Sequence, residues 1–148
     1  MAGIERERRA AVVLNVLFHA GSLYFLCIAA AHAAGIKVPG LFIYFSVPSY
    51  EYQDRIIAAL AFGWSAFFHA AGRNPTGALP VAALVAGFVA VATLVTINLT
   101  ADFRSLSQDV EPFRFHIEAA MLALYWICLL AAYLMTGKDR SYELREET

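Results

Sequence analysis

Residues 10–35 read AAVVLNVLFHAGSLYFLCIAAAHAAG, an unbroken run without Asp, Glu, Lys or Arg. A helix crosses the hydrocarbon core of a bilayer in about 20 apolar residues, so this run is long enough to span with some tilt. Glu5, Arg6, Glu7, Arg8 and Arg9 precede it as a polar cuff suited to the headgroup layer. Ala31-His32-Ala33 imitates the small-x-small end of a secretory signal. The run nevertheless exceeds the roughly 7–15 residues of a signal core and carries Asn15 and His19, so a retained helix is expected.

The whole composition agrees with that reading. Of 148 residues, 60% are hydrophobic and only 16% charged, with a mean hydropathy of +0.60. Soluble domains run nearer a quarter charged, and the deficit points to lipid as the main partner surface. A net charge of −1 without any sizeable basic patch gives no sign of nucleic acid as a partner, and none is expected. Cys27 and Cys128 lie in separate apolar runs and read as small core hydrophobes.

Three further spans follow from the same criterion. Together with residues 10–35, the segments 54–72, 79–101 and 113–137 give an all-α integral membrane protein. They are expected to form a single domain over residues 1–148, an antiparallel, up-down bundle of four transmembrane helices. Residues 36–55 form the longest connection. The apolar part between Pro39 and Pro48 is too short to cross, and its bracketing prolines and neighbouring Tyr44, Tyr50 and Tyr52 predict a segment in the membrane interface or over the bundle mouth. Ala59 and Gly63 form a small-xxx-small pair for close helix approach. On the third span, Ala82, Ala86 and Ala90 make one ridge, and Thr93, Thr96 and Thr100 make a face for interhelical hydrogen bonds.

Four spans put both termini on one side. That side collects Arg6, Arg8, Arg9, Arg73, Lys138, Arg140 and Arg145, against Lys37, Arg55, Arg104 and Arg114 opposite. The positive-inside rule then predicts cytoplasmic N- and C-termini in a cell inner membrane.

Polar groups within the spans supply the candidate sites. At about 100° per residue, Asn15, His19 and Ser22 fall on one stripe of the first helix. Ser65 and His69 of the second span lie at matching depth, so the five residues are expected to form a polar seam inside the bundle. Ser65 and His69 are four apart and predicted to hydrogen-bond to each other. His19 and His69 form an inner histidine pair from facing helices, the arrangement that holds haem b. His32 and His116 form an outer pair. Their neighbours Asp102 and Glu118 extend it to a candidate metal site, with Glu51 or Asp54 as further ligands.

Spacing argues against both cofactor readings. His19 and His32 are about 140° out of register on a straight helix, unlike paired ligands of a two-haem bundle. His116 and Glu118, two apart, point to nearly opposite sides of one helix. Glu118, just inside the fourth span, is instead a candidate titratable group or a partner for Arg55 or Arg104. There is no glycine-rich phosphate loop, no CxxC and no lysine within a span. The expected function is therefore a non-catalytic subunit or accessory protein of a membrane complex, self-associating as a homo-oligomer or packed on another membrane subunit. The alternatives are a haem- or metal-binding redox or lipid-modifying enzyme, and a small-molecule or ion pathway along the seam.

Overall fold

A computed structural model describes residues 2–36, 51–75, 77–106 and 111–137, and these residues are helical apart from short turns. The helices are α1 (Ala2–Ala33), α2 (Glu51–Arg73), α3 (Ala78–Thr100), the single turn α4 (Phe103–Leu106) and α5 (Pro112–Gly137). Four stretches are long and apolar enough to cross a membrane: Arg8–Ala33, Glu51–Arg73, Ala78–Thr100 and Pro112–Thr136. The chain thus has the four candidate spans of an integral membrane protein. α1 begins well before residue 10, because the polar cuff is itself helical and carries an i,i+4 ion pair between Glu5 and Arg9. Of the expected interfacial connection, residues 37–50 lie outside the described residues, and residues 51–55 belong to the first turn of α2.

Large apolar side chains project outward from every long helix. Leu23 on α1, Leu60 on α2, Leu99 on α3 and Leu124 on α5 are each more than 60% exposed. In water such surface far exceeds the patches that soluble monomers tolerate; against lipid tails it carries no penalty. Cys27 and Cys128 share this outward orientation instead of lying in the core.

Lipid removes the hydrophobic drive between helices, so cohesion here must come from close packing and hydrogen bonds. α1 makes its most extensive contact with α2, and α5 packs against both α1 and α3. The buried centre holds Leu14 and Phe18 of α1, Phe68 and Ala71 of α2, Ala83 and Leu84 of α3, and Leu129 and Ala132 of α5. Phe68 is its hub. Phe18, Phe25 and Trp64 meet its ring edge-on at centroid distances of 5.6, 5.5 and 5.8 Å. Edge-on packing sets the positive rim of one ring against the negative face of the next.

Two glycines let α5 approach its neighbours. Tyr125 donates its hydroxyl to the Leu17 carbonyl at 2.8 Å, and that hydroxyl lies over Gly21. Trp126 donates its indole N–H to the Leu84 carbonyl at 2.8 Å and lies against Gly87. A Cβ at Gly21 would stand 2.2 Å from the Tyr125 hydroxyl oxygen and 2.6 Å from the Phe68 ring, distances no folded side chain accepts. The expected small-residue contact at Ala59 and Gly63 is not used. Both are exposed, and a Cβ at Gly63 meets nothing within 4 Å. The expected threonine face also turns away, since Thr96 and Thr100 donate to Ala92 and Thr96 carbonyls of their own helix.

Gly21→Ala is therefore expected to lower stability by about 1–3 kcal/mol through overpacking, although Ala is the better helix former by about 1 kcal/mol. Gly63→Ala should be neutral or stabilising. Unfolding titrations of both variants in mixed micelles check the opposite signs. Trp126→Phe should cost about 0.5–1.7 kcal/mol in the same assay, the range of a hydrogen bond between membrane helices.

Candidate functional site

The polar side chains of the spans concentrate along the α1–α2 contact. Their partners step down α2 as they step up α1: Asn15 meets Gly72, His19 meets His69, Ser22 meets Ser65 and His32 meets Asp54. The spacing follows from helical phase, because residues three and four apart stack on one face.

Each contact has its own chemistry. Asn15 donates its side-chain amide to the Gly72 carbonyl at 2.7 Å. Gly72 lies in the last turn of α2, where carbonyls lack a helical donor, so Asn15 closes off a helix end. Ser22 and Ser65 exchange hydrogen bonds. The Ser22 hydroxyl donates to the Ser65 carbonyl at 2.9 Å, and the Ser65 hydroxyl donates to the Ser22 carbonyl at 2.8 Å. The hydroxyl of Ser65 therefore reaches across to α1 and not along α2 to His69.

The inner histidines touch. Their ring centroids are 5.2 Å apart with planes at 80°, and the Nδ1 of His19 lies 2.8 Å from the Asn15 carbonyl oxygen. A carbonyl only accepts, so this nitrogen carries a proton and donates. The His19 ring rests on Gly72, where a Cβ would come within 2.8 Å of two ring atoms. His69 is exposed at the outer edge of the contact. As arranged, a haem carried between the two rings would require the helices to part.

The outer residues divide differently from the expected outer pair. His32, in the last turn of α1, pairs with Asp54 of the first turn of α2 at 3.0 Å, both side chains being nearly buried. His116 and Asp102 are exposed, and Glu118 is half-buried on α5 beside the Tyr24 phenol of α1. Among the described residues, no three His, Cys, Asp or Glu side chains converge closely enough to hold a metal ion. The grouping of His32, Asp102, His116 and Glu118 is thus not brought together.

Two polar residues with clear structural work escaped the sequence reading. Asn98, buried in α3, donates to the Phe115 carbonyl at 2.8 Å and ties α3 to the start of α5. Thr136 donates to the Tyr133 carbonyl near the end of α5. A single buried amide in an otherwise apolar span was the available signal for Asn98.

A double-mutant cycle on Ser22→Ala and Ser65→Ala is expected to give a coupling of about 0.6–1.7 kcal/mol, read from unfolding in mixed micelles. Strictly additive losses would contradict the reciprocal pair. Comparison with protein-family models, curated proteins and solved structures finds nothing that matches this chain.

Proposed function

We propose that the chain is a non-catalytic integral membrane subunit or accessory protein, folded as an up-down, antiparallel four-helix bundle within a cell inner membrane and with both termini cytoplasmic. The observation that carries this reading is the use made of the intramembrane polar groups. Asn15, Ser22, Ser65, Asn98, Tyr125 and Trp126 each donate to a main-chain carbonyl of a neighbouring helix. Polar side chains inside a membrane are retained for function or for holding helices together, and these hold helices together. The reversed order of partners along α1 and α2 supports the antiparallel arrangement. The arginine bias between the two sides supports cytoplasmic termini. The outward apolar faces suit a lipid surface, a second copy or another membrane subunit.

The competing reading is a redox protein carrying haem b between His19 and His69. Purification from native membranes in mild detergent, followed by native mass spectrometry and an optical scan, separates the two. The accessory reading expects a complex heavier than one chain and no Soret band. A monomer at all concentrations, or a Soret band that disappears in His19→Ala and His69→Ala, would overturn it.

A further inference from the structure

We infer that Glu118, at the contact between α1 and α5, is the docking point for a Lys or Arg carried inside a membrane-spanning helix of a different chain. The inference rests on the accessory-subunit reading and names the chemistry of the partner. Residues 10–35, 56–72, 79–101 and 115–137 contain a single Asp or Glu, and it is Glu118. It lies six residues, about 9 Å, inside the Pro112 end of its span. Long Lys and Arg stems can carry a charge back to the headgroup layer from such a depth, but a glutamate side chain is too short.

Helical phase sets where Glu118 stands. It is two turns from Tyr125 on one face of α5, and Tyr125 bonds the Leu17 carbonyl of α1. Two turns along α1 from Leu17 is Tyr24, whose phenol lies beside the Glu118 carboxylate. Glu118 is half-buried there, with exposed Tyr24 on one side and exposed Met121, three residues on, on the other. The chain supplies no counter-charge at that depth. No Lys or Arg occurs in the same four stretches. At the neighbouring helix ends, Arg114 pairs with Glu111 and Arg55 with Glu51. Among the described residues, no hydrogen bond or ion pair engages the Glu118 carboxylate.

An ionisable side chain held in hydrocarbon marks a functional site that calls for a partner charge. The open side of Glu118 faces lipid, so that cation arrives through the membrane. A second copy of this chain brings none, because its spans lack Lys and Arg at that depth. The occupant is therefore a helix of another membrane protein. Its ammonium or guanidinium takes the carboxylate in a charge-assisted bond, without water competing for either group. The adjacent Tyr24 phenol oxygen is a second acceptor for the same cation.

A synthetic Leu/Ala helix of about 20 residues, with one Lys at the depth of Glu118, is the probe. Energy transfer from a donor on the full chain to an acceptor on the peptide reads association in phosphatidylcholine vesicles. The Lys peptide is expected to associate at about tenfold lower peptide-to-lipid ratio than the same peptide with Leu or Gln at that position. Glu118→Gln, which keeps the size and a polar head, should abolish the preference. His116→Ala, at an exposed position of α5, should retain it. An unaltered near-ultraviolet circular dichroism spectrum establishes that Glu118→Gln is folded. Equal association of the Lys and Leu peptides with the wild type, or a Lys preference that survives in folded Glu118→Gln, would overturn the assignment. The peptides test the site alone: a native mass of one chain would defeat the accessory reading whatever they do, and loss of the Lys preference would defeat this assignment whatever the native mass.

Discussion

Every helix carbonyl has a second lone pair, and this protein is held together by filling it. The intrahelical N–H occupies one acceptor site, and in lipid no water competes for the other. Donors from neighbouring helices take that place at Leu17, Leu84, Phe115, Ser22 and Ser65, while Gly72 accepts Asn15 at a helix end. Such bonds are individually modest between membrane helices, about 0.6 kcal/mol on average. They gain direction because the acceptor is rigid main chain, so each bond fixes both the rotation and the height of the helix that donates. The aromatic hub at Phe68 then fills the space that these bonds enclose.

Close approach is the condition for that bonding, and among the described residues of the long helices glycine provides it at three places. Tyr125 lies on Gly21, Trp126 on Gly87 and His19 on Gly72. The Tyr125 hydroxyl with the Phe68 ring, the Trp126 indole and the His19 imidazole occupy the volumes that a Cβ would need. The remaining intramembrane glycine of α2, Gly63, faces open space and carries no such load.

The number and extent of the spans were legible because long uncharged runs have few other interpretations in a chain this apolar. Helical phase also carried information: Asn15, His19 and Ser22 share a stripe, and Ser65 and His69 stand across from two of them. What phase could not supply was rotation about the axis of each helix. The small-xxx-small pattern drew attention to Ala59 and Gly63, whereas α2 presents Ala58, Ala61, Ser65 and Phe68 to the interior. The pattern is degenerate in a span so rich in alanine. The outer histidines illustrate a second limit. Residues 36–55 read as one connection, yet α2 begins at Glu51, and that extra turn delivers Asp54 to His32. A helix boundary moved by three residues thus changed the partner of a titratable group.

Tyr125 and Trp126 are consecutive, so their side chains leave α5 about 100° apart and grip two different helices. The contacts close loops of 108 and 42 residues respectively. During synthesis α1, α2 and α3 emerge before α5, and the Tyr125 contact over Gly21 and the Trp126 contact over Gly87 form only once α5 is made. The α1–α2 seam needs no such delay, since all its partners lie within the first two long helices. Assembly therefore has an order written into the chain: a hairpin that can zip early, a third helix with few bonds of its own, and a final helix that locks both through two adjacent residues.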